Sequence, residues 1–138
     1  MKLKPYHLGL YAMLASQALS AADLTLAIDG YSSGTGYLML SVYNNQEAFD
    51  SDNDALILLR QVPVEQGHSI SFHDLPEGEY AIKAFHDENA TGELDRNILG
   101  IPAENYGFSG KSRKRGPTSY EEARILLKED TTIELNLR

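Results

Sequence analysis

The stretch ISFHDLPEGEYAIKA, residues 70–84, carries the clearest fold signal in the chain. Apolar residues alternate with polar or small ones on both sides of the turn residues Asp74 to Gly78. A period of two places alternate side chains on one face of a strand, and a short turn between two such runs is typical of a β-hairpin. The stretch therefore predicts two antiparallel strands joined by a tight turn.

Shorter runs with the same alternation occur along the rest of the chain. They cover residues 24–28, 37–43, 56–62, 123–128 and 132–137, and turn residues divide them. The last two runs are predicted to pair as a closing hairpin across Glu129 and Asp130, and a helical turn is predicted at residues 47–49. Seven or so short strands without alternating helices favour an all-β fold, a seven-stranded antiparallel β-sandwich.

The first 22 residues have the features of a secretory signal peptide. Lys2 and Lys4 give a positive start, residues 8–19 form a short apolar segment, and small residues follow up to Ala22. This segment is too short to span the roughly 30 Å hydrocarbon core of a membrane. We therefore expect cleavage after Ala22 or two residues earlier. The mature protein would be a single domain, residues 23–138, in a periplasm or outside the cell.

The charge balance limits the classes of partner. The chain has a formal net charge of −8 and a sequence pI near 4.9, so on balance it repels nucleic acid and anionic membranes. We expect no nucleic-acid partner, no membrane insertion, and a monomer. A local exception is the basic run Lys111, Arg113, Lys114 and Arg115, which fits a solvated loop better than a polyanion site. Cysteine is absent, which excludes disulfides and thiolate metal sites.

One long segment, residues 87–122, lacks clear periodicity and contains five glycines. Loops of this length in compact domains are usually either functional or disordered. Here the aromatic residues Tyr106, Phe108 and Tyr120 favour an ordered loop that packs on itself or on the sandwich, and the apolar residues Ile98, Leu99 and Ile101 are expected to take part in this packing. The same three side chains are the predicted ligand-binding surface.

The start of that segment has the spacing of a calcium loop. Oxygen donors occupy positions 1, 3, 5, 7 and 9 of an EF-hand-type pattern, namely Asp87, Asn89, Thr91, the backbone carbonyl of Glu93, and Asp95. Gly92 stands at position 6, where the loop turns sharply. Position 12 is Ile98, so the usual bidentate carboxylate is missing, and Glu104 is the predicted extra ligand, with Glu88 as the second choice. The alternative is a metal-free turn whose side chains bond their own backbone.

Histidines and hydroxyls give weaker signals. The predicted hairpin places His68 opposite His86, a pair that could bind zinc or copper but more commonly bonds to solvent or backbone. No nucleophile elbow, zincin helix or phosphate loop is present in the sequence. Asp87 and Glu104 could form a glycosidase-like carboxylate pair, although such pairs arise by chance in an acidic chain. We therefore do not expect an enzyme.

Three ordered blocks carry a resemblance to a known family. They are LPEGEYAIKAFHDEN at residues 75–89, GELD at 92–95 and GIPAENYGFS at 100–109. The chain resembles small exported bacterial proteins catalogued only as a conserved domain of unknown function, and the resemblance extends over residues 24–137. It implies a prealbumin-like or transthyretin-like sandwich in the bacterial envelope, without established activity and without catalytic residues to transfer.

These observations lead to one expected function and two alternatives. We expect an exported binding or accessory module whose loop at residues 87–95, with or without calcium, stiffens the ligand surface. The first alternative is a small hydrolase that uses the segment from Asp87 to Glu104. The second is a purely structural envelope protein without a small ligand.

Overall fold

A computed structural model of the chain describes residues 19–30, 34–61, 68–111 and 116–138. Over these ranges the chain forms eight β-strands and two short helices. In chain order they are β1 (Ala21–Asp29), β2 (Tyr37–Tyr43), α1 (Gln46–Ser51), β3 (Ile57–Gln61), β4 (His68–Pro76), β5 (Gly78–Asp87), β6 (Tyr106–Phe108), α2 (Tyr120–Ala123), β7 (Ile125–Leu127) and β8 (Thr131–Asn136). Most of the predicted leader and most of the basic run, Arg113 to Arg115, lie outside the described residues.

The strands form two sheets. Sheet A has the order β4-β1-β8, and sheet B has the order β3-β2-β5-β6, with β7 also paired to β5. The predicted all-β fold is confirmed, and the helical turn at residues 47–49 is present as α1. The strand count differs, since the described residues contain eight strands rather than seven. Sheet A is also mixed, because β1 pairs with β4 in antiparallel and with β8 in parallel orientation.

The predicted hairpin in residues 70–84 is wrong in its pairing. Both strands form, as β4 and β5, but β4 pairs with β1 while β5 pairs with β2. The intervening turn therefore carries the chain from one sheet to the other. Asp74 takes a left-handed conformation at φ 56°, and its N–H donates to Asp23 Oδ1 at 3.0 Å. Alternation identified the buried faces of both strands, and these faces meet across the core instead of side by side.

The predicted closing hairpin is also wrong. β7 pairs with β5, and β8 runs parallel to β1, with Leu26 opposite Ile133. The turn at Glu129 and Asp130 thus connects the two sheets. It is fastened on the sheet A side, where the N–H of Asp23 donates to Asp130 Oδ1 at 2.8 Å.

The main core lies between the sheets. Sheet A contributes Leu24, Leu26, Ile28, Ile70 and Leu135, and sheet B contributes Leu38, Leu40, Val42, Ile82 and Leu127, all of them buried. Burying a side chain of this size stabilises a fold by about 1.5 to 3 kcal/mol relative to leaving it in water. Among the described residues, no helix is long and apolar enough to cross a membrane.

A second, smaller core lies on the outer face of sheet B. It consists of Tyr43, Ala48, Phe49, Ala81, Tyr120 and Ala123, which come from β2, β5, α1 and α2. The helix α1 begins after Asn45, whose side-chain oxygen accepts from the N–H of Ala48 at 2.9 Å, and ends at Asp52 in a left-handed conformation. This cluster holds both helices against the sheet.

The two sheets are joined beside β6. Tyr106 and Arg138 exchange two backbone hydrogen bonds of 3.2 and 2.9 Å, which places β6 along the end of β8. A Cβ atom on Gly107 would lie 2.5 Å from the carbonyl oxygen of Asn136, so this close approach requires glycine. The junction fixes the position of Tyr106 and Phe108 on the outer face of sheet B.

Candidate functional site

The outer face of sheet B carries two rows of side chains that face away from the main core. The strand register places Met39, Phe85 and Tyr106 in one row, and Ser41, Lys83 and Phe108 in the next. These residues alternate with the buried core residues of the same strands. The face therefore presents three half-buried aromatic rings around a lysine.

Walls on three sides turn this face into an open groove of about 1140 Å³, which we call the sheet B groove. Its floor contains Lys83, Phe85, Tyr106 and Phe108, and one wall contains Phe49, Asp50 and Asp52 of the α1 region. The remaining lining includes residues 92–94, 96, 100–105 and 116–118. The acidic loop, residues 87–95, and the residues that follow it thus form one side of the groove.

Lys83 joins the floor to the α1 wall. Its Nζ donates to the carbonyl oxygen of Phe49 at 2.5 Å and to Asp52 Oδ1 at 2.6 Å. The same atom lies 4.1 Å from the centroid of the Phe49 ring and 5.3 Å from that of Tyr43. A cation at the carboxyl end of a helix meets exposed carbonyl groups, and here it stabilises the end of α1. Lys83 therefore serves first to hold the wall.

Asp87 closes the acidic loop from inside. Its side chain is fully buried. Oδ1 accepts from the N–H of Thr91 at 3.0 Å, and Oδ2 accepts from the N–H of Gly92 at 2.8 Å. Ala90 and Gly92 adopt positive φ angles of 59° and 84°, which bend the chain around this carboxylate. The carboxylate is thus the centre on which the loop folds.

Glu104 fastens the same loop from the other side. Its Oε1 accepts from the N–H of Glu88 at 2.9 Å, and its Oε2 accepts from the N–H of Asp95 at 3.1 Å. The side chain is buried with only 8% exposure. Glu104 therefore bridges the start and the end of the acidic loop through backbone groups.

The predicted calcium ligands converge on the hydroxyl of Thr91. Its Oγ1 lies 3.1 Å from the carbonyl oxygen of Glu93, 3.4 Å from Asp87 Oδ1 and 3.5 Å from Asp95 Oδ1. Asn89 joins the group, since its Nδ2 donates to Asp95 Oδ2 at 2.5 Å. Glu104 stands apart, with both oxygens on backbone N–H groups. Ile98, at position 12, is fully exposed, and Leu99 and Ile101 are exposed as well, so the prediction that these three side chains pack on the loop or the sandwich is wrong.

The group of side chains around the Thr91 hydroxyl contains few charged groups. Within the described ranges, no three histidine, aspartate or glutamate side chains gather as a metal site of that composition requires. The oxygens that converge on Thr91 Oγ1 are those of the carboxylates Asp87 and Asp95 and of the Glu93 backbone carbonyl, whereas Asn89 presents its Nδ2–H group and not its oxygen. Ca²⁺ takes six to eight oxygen ligands, so these four groups would form only part of its coordination shell.

Two of the three predicted surface rings lie in the groove. Tyr106 and Phe108 stand edge to face with centroids 5.8 Å apart, and Tyr106 Oη accepts from the N–H of Gly116 at 2.6 Å. Tyr120 lies behind the wall, buried, with its ring 5.8 Å from that of Phe49. Burial raises the pKa of Tyr120. Tyr120 therefore packs against the buried side of the α1 wall and does not line the groove.

Sequence reasoning missed Phe85 and Lys83, which contribute a ring and a cation to the groove floor. The signal was present, because both alternate with the buried residues Ile82 and Ala84 of β5. The sequence pattern of an outward strand face is the same whether that face contacts solvent or is covered by other parts of the chain. The position of α1 and the acidic loop gives this face its role.

The predicted histidine pair does not form. His86 lies opposite Leu38 of sheet B, whereas His68 lies opposite Ile28 of sheet A. The buried His86 ring places Nε2 at 2.6 Å from the carbonyl oxygen of Thr35. The hairpin register that predicted this pair fails because its two strands belong to different sheets.

The remaining titratable pair and the buried serine lie outside the groove. His73 Nδ1 is 2.7 Å from Asp23 Oδ2 on sheet A, and this hydrogen bond lowers the pKa of Asp23 and raises the pKa of His73. Ser109 is buried, and its Oγ accepts from the N–H of Ile82 at 2.7 Å while donating to the carbonyl of Ala123 at 2.6 Å. Both the His73–Asp23 pair and the Ser109 hydrogen bonds connect distant parts of the chain, so their role is structural.

Comparison with known proteins gives one match. The family model described as "Uncharacterized protein conserved in bacteria (DUF2141)" matches residues 26–134. No curated protein and no solved structure matches. The matched residues include most of both sheets, the acidic loop and nearly the whole lining of the groove.

Proposed function

The chain belongs to this family of uncharacterized proteins conserved in bacteria (DUF2141), and from that premise we propose that it is a binding or accessory module of the bacterial envelope. Its ligand lies in the sheet B groove. The fold is a prealbumin-like sandwich elaborated on one face, and residues 1–22 direct its export.

If export is as proposed, N-terminal sequencing of protein from the native envelope gives Ala21 or Asp23, while an intact Met1 contradicts it.

One observation carries the binding proposal, namely the groove itself. Ligand sites are concave, mostly apolar and roughly 300 to 1,000 Å³ in volume, with a few polar groups that orient the ligand. The sheet B groove is open and, at about 1140 Å³, slightly larger than this range, and it has a floor of three rings and polar atoms along its walls. Such a floor offers flat apolar area, which binds the apolar or ring face of a ligand.

The buried carboxylates favour binding over catalysis. A general acid or base has to reach the substrate, yet both oxygens of Asp87 and both of Glu104 accept backbone N–H groups. The hydroxyl of Ser109 is likewise engaged on both sides. These contacts support a module that holds a ligand, because the carboxylates that the hydrolase alternative would use, and Ser109, are already engaged with backbone groups. The purely structural alternative does not account for the groove.

Ligand binding in the groove is tested by measuring which compounds the protein retains after desalting. Purified wild-type protein is mixed with the small-molecule fraction of a bacterial envelope, desalted rapidly, and analysed by mass spectrometry for bound compounds. We expect a compound that the wild type retains and that Phe85→Ala retains about tenfold less, because Phe85 forms part of the floor. The matched control is Tyr37→Ala, which removes a half-buried ring from the same sheet face outside the groove.

Two outcomes of this assay contradict the proposal. One is that the wild type retains nothing above the level of an unrelated protein. The other is that Phe85→Ala retains the compound as well as Tyr37→Ala does. Turnover of a hydrolase substrate panel by the wild type would instead favour the enzyme alternative.

We further propose that Ca²⁺ binds the acidic loop and stiffens the groove wall. Six to eight oxygens at about 2.4 Å from one ion lie about 3 to 3.4 Å from their neighbours, by geometry. The distances from Thr91 Oγ1 to the oxygens of Asp87, Glu93 and Asp95, 3.1 to 3.5 Å, are close to that spacing. This closeness supports the proposal, and the missing acid at position 12 makes the affinity low.

The calcium proposal predicts a thermal shift. Weak extracellular sites have dissociation constants of about 10⁻⁴ to 10⁻³ M. Addition of 10 mM Ca²⁺ to chelated protein, about 10 to 100 times that range, should then stabilise the fold by about 1.4 to 2.7 kcal/mol, which is several degrees in Tm. Asp95→Ala should abolish the shift, and Mg²⁺ should give little, because it requires a tighter octahedron. An unchanged Tm in Ca²⁺ means that the loop is a hydrogen-bonded turn.

A further inference from the structure

The start of β1 contacts both of the turns that connect the two sheets. The carboxylate of Asp23 accepts the N–H of Asp74 at 3.0 Å and lies 2.7 Å from His73 Nδ1, where the chain leaves β4 for β5. The backbone N–H of Asp23 donates to Asp130 Oδ1 at 2.8 Å, where the chain leaves β7 for β8. Asp23 therefore fastens both turns to sheet A, and these contacts require that it is held in a fixed position.

The two residues before Asp23 hold it in that position. Ala21 and Ala22 are the first residues of β1, and they lie opposite Pro76 and Leu75 of β4. The side chain of Ala22 is 4% exposed and belongs to the main core. Residues at a chain end are poorly ordered unless they are tied down. The two alanines therefore make Asp23 an internal residue of a paired strand.

The two bonds at which the leader could be cut differ in what they remove from the fold. Leu19 and Ser20 are exposed and precede β1, so a cut after Ser20 removes no strand residue and no core residue. A cut after Ala22 removes the first two residues of β1, including a buried one. The hydrogen bond from the N–H of Glu77 to the Ser20 carbonyl, 3.1 Å long, is lost in either case.

A cut after Ala22 would also change the charge at Asp23. The new terminal ammonium group would lie beside Asp130, because the N–H that it replaces donates to that carboxylate. Exposed ion pairs contribute little to stability, so this attraction does not offset the loss of a paired strand end and a core residue. The fold therefore favours the chain that begins before Ala22.

The sequence rule for a signal peptidase is satisfied at both bonds. The enzyme requires small residues at the first and third positions before the cut. These are Ser20 and Ala18 for the earlier bond, and Ala22 and Ser20 for the later one. From the fold, we infer that the leader is removed after Ser20, so that Ala21 is the first residue of the exported protein. This inference rests on the export proposed above.

The N-terminus of the exported protein tests the inference. The full-length chain is expressed in a bacterium and recovered from the periplasm, and its intact mass and N-terminal sequence are determined. We expect the wild type to begin at Ala21. Ala18→Tyr should lose this terminus, because it places a large side chain at the third position before the cut. The matched control is Ser16→Tyr, which changes the leader two residues earlier and should keep the Ala21 terminus.

The possible results separate this inference from the export proposal. Wild-type protein that begins at Asp23 contradicts the inference and leaves export intact. An Ala21 terminus that persists in Ala18→Tyr, or that disappears in Ser16→Tyr, also overturns it, since another bond would then be the one that the peptidase cuts. An intact Met1 contradicts export itself, and the inference with it.

Discussion

Phe49→Ala should destabilise the protein by about 3 to 5 kcal/mol, the usual cost of removing a buried phenylalanine from a packed site. The side chain is 1% exposed. Its ring centroid lies 5.5 Å from that of Tyr43, 5.8 Å from Tyr120 and 6.4 Å from Phe108, and Lys83 Nζ lies over its face. The substitution therefore leaves a cavity between three rings and removes the aromatic partner of a cation.

Urea denaturation of wild type and variant measures this effect. Leu58→Ala is the control, because Leu58 lies on the same face of sheet B but is 76% exposed, so its loss should cost less than about 0.5 kcal/mol. Phe49→Ala should also weaken ligand retention, since Phe49 is part of a groove wall. A loss of stability below about 1 kcal/mol would show that α1 is not packed on the sheet as described.

Asp87→Ala should cost about 2 to 3 kcal/mol, even in the presence of a chelator. The substitution removes the acceptor of two backbone N–H groups, those of Thr91 and Gly92, and hydrogen bonds to charged groups contribute about 1.5 to 3 kcal/mol each. Two effects reduce the sum. The exposed N–H groups of the opened loop regain water, and the variant no longer carries a buried charge.

Two further variants separate the carboxylate from its neighbours. Asp87→Asn keeps one acceptor and should lose roughly half as much stability. Glu93→Ala should be nearly neutral, because the described contacts of Glu93 in the loop are made by its backbone carbonyl and its backbone N–H. Equal stability of Asp87→Ala and Glu93→Ala in chelator would contradict the role assigned to Asp87.

Seven of the eight strands in the described residues could be predicted from sequence, but β6 lies in the segment predicted as a loop, and the partners of the strands could not be predicted. The run at residues 37–43 coincides with β2, because alternation of apolar residues follows directly from one buried face. The same pattern does not say which strand lies alongside. β4 and β5 bury their apolar faces in one core from opposite sides, and a sequence cannot separate that arrangement from a hairpin. The parallel pairing of β1 with β8 depends equally on contacts distant in the chain.

The site shows the same division between local and distant contacts. The spacing of Asp87, Thr91 and Asp95 predicted a loop in which their oxygens converge, and the structure brings them together, since the turn that does so is local. The role of Glu104 was not predictable, because it binds N–H groups 16 and 9 residues earlier in the chain. Lys83 and Phe85 acquire their place in the groove only from α1 and the acidic loop.

The most direct test of the account is an NMR titration of ¹⁵N-labelled wild-type protein with the small-molecule fraction of the envelope. A ligand in the sheet B groove should shift the amide signals of the floor residues Lys83, Phe85, Tyr106 and Phe108, while the signals of β1 and β4 in sheet A should stay in place. The Phe85→Ala variant should show much smaller shifts at the same fraction. Unchanged spectra, or shifts centred on sheet A, would contradict the proposal that the sheet B groove is a binding site.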